Sequence, residues 1–203
     1  MLVKKYYMLT LNVVHQETYS RGELLLRSFF GIFYMMIPHL FCLLFLGLWG
    51  SILSFISWWV ILFTGRYPQS FFEFQVKLYR WNLRLSARMS NLCDGYPAFG
   101  LDAVDDKTSL DIPYPETMSR GNLLLKTFFG FIYCIIPHAF CLIFVSLWGA
   151  ILGMLAWWVV LFTGKYPASW HEFRVGIMRW SMRVSAFMGN LTDTYPPFTG
   201  KPM

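Results

Sequence analysis

The chain has 203 residues, 56% hydrophobic, 20% aromatic and only 14% charged, with a formal net charge of +6. Soluble domains carry about 25% charged residues, so the shortfall takes the chain out of the soluble class and into the membrane class. The basic excess suits anionic lipid headgroups; with no RRM, zinc-finger or helix-turn-helix pattern present, no nucleic-acid partner is expected.

The opening MLVKKYYMLTLNVVHQETYS has lysines but no apolar core and no small-residue cleavage site, so it does not read as a signal peptide. Within it, Tyr7 to Val14 is β-prone and partly alternating, which suggests a short extended arm. Thr18 or Ser20 offers an N-cap oxygen ahead of a helix.

From Phe29 to Phe63 the chain has no Asp, Glu, Lys or Arg. The same run returns as Phe128 to Phe162, shifted by 99 residues, and Leu11 to Phe99 aligns with Leu110 to Phe198 without a gap. The chain is therefore a tandem repeat: a first copy over 1–99, a junction over 100–109 and a second copy over 110–203. The extended arm of the second copy, Leu110 to Pro115, contains prolines that restrict it to an edge strand or extended arm, and the two arms could pair with each other or with a partner protein.

As one helix, Leu24 to Phe63 would extend about 60 Å, twice the hydrocarbon thickness of a bilayer. Pro38 and the Gly47-Leu48-Trp49-Gly50 turn signal suggest a break, and basic residues flank both ends (Arg21, Arg27 and Arg66; Arg120, Lys126 and Lys165). The expectation is a membrane hairpin over 24–64, with arms 24–46 and 48–64, and a second over 123–163, with arms 123–145 and 147–163. Both flanks of each hairpin then share the cytoplasmic side. A shallow re-entrant hairpin is the competing layout. Gly47, Gly50, Ser51 and Ser54, with Gly149, Ala150 and Gly153, form a small-residue stripe that suits either assembly with another helix or packing within the hairpin.

Thr64-Gly65-Arg66-Tyr67-Pro68 and Thr163-Gly164-Lys165-Tyr166-Pro167 read as turns. Amphipathic helices follow over about 69–92 and 168–191. Lys77, Arg80, Arg84 and Arg88 step along one face of the first; the second keeps Arg179 and Arg183. These six residues are the expected lipid-headgroup contacts, from helices lying in the membrane interface; the alternative is that each helix packs on its twin, with the arginines solvated or paired to Asp94 and Asp193. The acidic cluster Asp102, Asp105, Asp106 and Asp111 reads as a solvated linker.

His39 and His138 lie inside the apolar runs, where an ionisable residue is a functional candidate. They could ligate a cofactor or handle protons, or satisfy carbonyls freed by the preceding prolines. His15 and His171 are not matched between the copies, which argues against a four-histidine site. Cys42, Cys93, Cys134 and Cys141 form no CxxC pair and read as small apolar residues.

Ile37-Pro38-His39, Leu62 to Pro68, Arg80-Trp81-Asn82 and Asp94-x-Tyr96-Pro97 resemble, in that order, the bacterial membrane family called domain of unknown function 4389, and the second copy matches through Pro197-Phe198. Two small departures, Ser181 for Asn and Ala98 for the second Pro, leave the match intact. The resemblance implies a membrane protein, sometimes in tandem copies, with no settled activity.

The expected fold is an all-α integral membrane protein in a bacterial inner membrane, both termini cytoplasmic, each copy a helical hairpin plus an amphipathic interfacial helix and a short arm. The expected function is a non-enzymatic accessory or scaffold subunit that binds anionic phospholipid and other membrane proteins, with no cofactor. The alternatives are a lipid-handling or transport protein and a cofactor-bearing subunit with His39 and His138 as ligands.

Overall fold

The structure, a computed structural model, describes residues 9–202. In chain order it contains strand β1 (Thr10–Val13), helix α1 (Arg21–Thr64), helix α2 (Gln69–Met89), strand β2 (Thr108–Asp111), helix α3 (Arg120–Thr163) and helix α4 (Ala168–Met188). The two copies repeat one unit of strand, long helix and shorter helix. The residues Tyr7 and Met8 of the expected first arm lie outside the described residues.

The strands pair antiparallel with Leu11 opposite Leu110, positions equivalent through the repeat offset. The expected pairing of the two arms is thus observed. A pseudo-twofold axis passes through this pair.

The expected hairpins are absent. Each apolar run is one helix of 44 residues, α1 and α3, long and apolar enough by length and composition to cross a membrane. The chain does not turn at Gly47–Gly50, which is regular helix. Nor does Pro38 end the helix. A proline has no N–H to donate and its ring presses on the carbonyl four residues back. Here the preceding turn, Ile32–Met36, widens into a π-turn, and the Ile37 N–H reaches back to the Ile32 carbonyl. The helix resumes with Pro38 at its second residue, as α3 does after the π-turn Phe131–Ile135 and before Pro137. The wide turn absorbs the proline in place of a break.

The carbonyl four residues before each proline finds a donor elsewhere. Tyr96 Oη donates to the Tyr34 carbonyl at 3.1 Å, and Tyr195 Oη to the Tyr133 carbonyl at 2.9 Å. The tyrosine of the Asp-x-Tyr-Pro motif repairs the helix that the Ile-Pro-His motif disrupts.

Ser20 and Ser119 cap the long helices, accepting from Glu23 N–H and Asn122 N–H. Gly65 and Gly164 end them in the left-handed region at φ 71°, as a C-terminal glycine cap requires. The two long helices run antiparallel and meet at both ends. Arg21 donates to the Phe162 carbonyl and Arg120 to the Phe63 carbonyl, at 3.0 and 2.9 Å. Tyr19 N–H reaches the Gly164 carbonyl and Met118 N–H the Gly65 carbonyl. Two turns further in, Trp58 Nε1 donates to Thr127 and Trp157 Nε1 to Ser28. Each contact has its counterpart in the other copy, as an isologous interface requires.

Helices α2 and α4 do not lie exposed at an interface. They form the middle layer, packing on the long helices on one side and on the strands and the segments after each helix on the other. On α2 only Glu73 and Asn82, beyond its first two residues, are exposed.

Tyr96→Phe keeps the ring and removes the donor to the Tyr34 carbonyl. Because the bond lies near the surface, the expected loss is about 1 kcal/mol, with a matching loss for Tyr195→Phe. Thermal unfolding in detergent measures it; unchanged transitions in both variants would show that these hydroxyls do not support the π-turns.

Candidate functional site

Helix α1 turns His39 onto α2, where it is fully buried. Trp81 Nε1 donates to His39 Nδ1 at 2.7 Å, and Trp180 Nε1 to His138 Nδ1 at 2.8 Å. Phe99 stacks on the His39 ring at 3.8 Å between centroids, Phe198 on His138 at 4.0 Å, and Tyr96 and Tyr195 lie against the same rings. In each copy the Ile-Pro-His, Arg-Trp and Asp-x-Tyr-Pro motifs thus meet beside the π-turn, around a buried histidine and tryptophan covered by partly exposed aromatic rings.

The tryptophan bond fixes the tautomer. Nδ1 accepts, so the neutral ring carries its proton on Nε2. Nε2 is buried and has no hydrogen-bond partner among the described residues. For Nε2 to ligate a metal, the proton would move to Nδ1 and face the indole N–H, donor against donor. The freed carbonyls expected of these histidines go to Tyr96 and Tyr195 instead. In this geometry each histidine is packed under an aromatic ring and bonded to a tryptophan.

The arginine stripes face inward. Arg84, Arg88, Arg179 and Arg183 are each 2–3% exposed. Their partners are mostly backbone carbonyls of segments without regular structure. Arg84 donates to the Gly100 and Ala103 carbonyls, and Arg80 to the Leu110 carbonyl. Arg179 donates to the Leu11 and Gly200 carbonyls, and Arg183 to Thr199 and, at 3.5 Å, Leu9. Lys77, at the rim, pairs with Asp102, and Arg80 with Asp111. The headgroup role expected of the four buried arginines is therefore replaced by an internal one. A guanidinium is the group best suited to it, with five donors in a rigid fork.

The junction is likewise not all solvated. Asp105 is buried against Arg88 with bonds of 2.6 and 2.7 Å, and Thr108 donates to it as well. Burial pushes the Asp105 carboxyl up, but the Arg88 and Thr108 bonds outweigh it and hold the group below the usual Asp range. In the second copy Phe187 stands where Arg88 does, with Lys126 Nζ 4.4 Å above its ring. Asp94 and Asp193 accept from Arg27 and Lys126 of the long helices.

A further polar cluster joins the copies. His15 Nε2 donates to the Tyr166 carbonyl and His171 Nε2 to the Leu92 carbonyl, which also accepts from Tyr19 Oη. Burial lowers the His171 pKa, and burial raises that of Tyr19 to about 12, so both stay neutral. Tyr114, the counterpart of His15, makes the equivalent bond to the Tyr67 carbonyl. The mismatch between the copies hides a shared hydrogen bond.

The small-residue stripe divides. Gly50 and Gly149 face Leu78 and Ile177; Gly153 faces the Arg174 guanidinium, and Ser54 accepts from Gln75. A Cβ at Gly50 would lie 2.8 Å from Leu78 Cδ1 and one at Gly149 2.4 Å from Ile177 Cδ1, so glycine sets the close approach. Ser51 and Ala150 point outward, and nothing lies near Gly47.

What remains exposed is apolar. Eighteen large hydrophobic side chains of α1 and seventeen of α3 face outward, among them Phe29, Phe33, Phe41, Phe45, Phe55 and Phe63. Between Ser28 and Thr64 no exposed position of α1 carries a charge. The exposed basic residues near these faces stand at the helix ends: Arg21 and Lys165 together at one, Arg66 and Arg120 at the other. Extended exposed apolar surface is a candidate for interaction. This candidate functional surface is legible in composition, and its basic rim in the residues that flank each apolar run.

Two measurements test the interior. Trp81→Phe leaves His39 Nδ1 buried and unpaired, with an expected cost of about 1–3 kcal/mol in thermal unfolding; an unchanged melt would remove the bond from the account. For Asp105, a folded pKa below the unfolded one means its contribution is fully present above the unfolded pKa of about 4 and is lost as pH falls through the folded value. Asp105→Asn, which leaves Arg88 buried without its counter-ion, should destabilise by about 3–5 kcal/mol near neutrality. The gap to wild type should close in acid; a gap independent of pH would refute the pairing.

No curated protein and no solved structure matches the chain. One family model does, twice, over residues 23–100 and 125–200, most of the chain in two tandem copies. The chain belongs to the family described as Domain of unknown function (DUF4389).

Proposed function

We propose that this chain is a non-enzymatic integral membrane protein of the bacterial inner membrane that binds lipid through its long helices and serves as an accessory or scaffold subunit. One observation carries the reading: two long helical faces, free of charge, stand open to the surroundings on a fold whose own core is already filled. Water would penalise that surface at roughly 25 cal/mol per Å² of apolar area, and lipid acyl chains would not. The rim supports it, since Arg21, Lys165, Arg66 and Arg120 are placed to meet anionic phosphates.

The accessory role is supported by how the interior is used. The buried arginines, histidines and Asp105 hold the chain's own backbone and side chains. The polar layer of strands, junction and tail is the face that a larger membrane complex would meet. Both copies present their basic flanks alike, consistent with one cytoplasmic side for both termini.

Membranes from expressing cells test the first part. After an alkaline carbonate wash the protein should stay in the pellet and float with vesicles of phosphatidylethanolamine and phosphatidylglycerol. Release into the wash as a folded, soluble protein would sink the reading. Glutamine at Arg21, Arg66, Arg120 and Lys165 together should weaken the dependence on phosphatidylglycerol, whereas equal flotation with and without that lipid in wild type would remove the headgroup role.

A further inference from the structure

We infer that the two long helices lie along the membrane rather than across it, so that the chain enters one leaflet as a wedge with its polar layer in the water above. The inference rests on the lipid-binding reading and adds its geometry.

Length is the first ground. Each long helix has 44 residues, about 66 Å at about 1.5 Å per residue, against a hydrocarbon core of about 30 Å. The exposed charge-free stretch from Ser28 to Thr64 alone extends roughly 55 Å, so fitting it between two headgroup layers takes a tilt of roughly 55–60°. Spanning helices are tilted by about 0–40°.

Symmetry is the second ground, and the stronger. The antiparallel long helices are related by the axis that passes through Leu11 and Leu110. If they crossed the bilayer, that axis would lie in the membrane plane at half depth. Everything on the axis would then sit at the level of the bilayer centre. The elements on and around it are the strands and the junction, with Asp102, Asp106 and Asp111 exposed at 81%, 83% and 67% of their side-chain surface. Charged side chains are strongly disfavoured at the bilayer centre, and this layer carries several. With the axis along the membrane normal the conflict disappears. The strands point to water, α2 and α4 lie beneath them, and the apolar faces of α1 and α3 point into the acyl chains.

The rim is compatible with this orientation. Twofold symmetry about the normal puts the Arg21 and Lys165 end and the Arg66 and Arg120 end at one height, where all four meet the phosphates of the same leaflet. A helix about 10–12 Å across fits within the roughly 15 Å of one leaflet's hydrocarbon. Bound this way, the chain adds volume to one leaflet and none to the other.

Single cysteines test the layout in inner-membrane vesicles of known sidedness, with a membrane-impermeant maleimide and the full chain, its native cysteines replaced by serine or alanine. Arg66→Cys, Lys165→Cys and Asp106→Cys should all be labelled from one and the same side, and Leu48→Cys, at the middle of an apolar face, from neither. Labelling of Arg66→Cys and Lys165→Cys from opposite sides, with the protein still resistant to carbonate, would overturn the wedge and leave the lipid-binding reading standing. Ready labelling of Leu48→Cys together with extraction by carbonate would overturn both.

Discussion

The architecture depends on a proline that fails to break a helix. Pro38 and Pro137 sit in uncharged runs, and each displaces a carbonyl that then needs another donor. Two adjustments make them tolerable. The π-turn moves the hydrogen-bond register by one residue, and a tyrosine from the loop after the next helix bonds the carbonyl that the proline ring displaces. Because each helix survives its proline, it is long enough for its two ends to reach both ends of its counterpart. The twofold pairing, the central sheet and the single apolar side all follow.

The second constraint concerns chain without regular structure. After each shorter helix the backbone returns along it as an irregular strip, and its carbonyls need donors. The arginine stripes provide them: Arg84 to Gly100 and Ala103, Arg179 and Arg183 to Gly200 and Thr199. The differences between the copies follow from what lies over each stripe. The first copy is covered by the acidic junction and keeps Arg88 for Asp105. The second is covered by the tail, which passes so close that Gly176 stands where the first copy has Lys77; a Cβ there would lie 3.3 Å from the Gly200 carbonyl oxygen. Phe187 then occupies the position that Arg88 holds in the first copy.

Much of this was legible in the sequence. The duplication, the serine N-caps, the glycine turns at Gly65 and Gly164, the two shorter helices and the paired arms all follow from local pattern, and local pattern is what capping, glycine φ and periodicity report. The hairpin did not follow, because a proline reads as a breaker unless a π-turn and a distant hydroxyl are known to repair it, and Tyr96 is 62 residues from Tyr34. The arginine stripes misled for a related reason. A basic face at helical spacing looks the same whether it meets phosphates or carbonyls. The segment that buries Arg84 and Arg88 carries no periodic signal of its own. For His39 the partner, Trp81, lies in the Arg80-Trp81-Asn82 motif, but nothing in the spacing brings the two together.

Duplication has a physical reason in the helix ends. A helix leaves its last carbonyls without partners. At the end of α1 the Phe63 and Gly65 carbonyls take Arg120 and the Met118 N–H; at the end of α3 the Phe162 and Gly164 carbonyls take Arg21 and the Tyr19 N–H. Each copy thus supplies the donors that close the other's long helix, and the tryptophan bonds to Ser28 and Thr127 repeat the exchange two turns inward. Neither copy can meet these needs alone, because the donors preceding its own long helix lie at the opposite end from the carbonyls to be closed. A chain with one copy would reach the same arrangement only by pairing with a second molecule. Joining the copies through 100–109 makes that pairing intramolecular, and it frees the joining segment to become the acidic cover over Arg84 and Arg88.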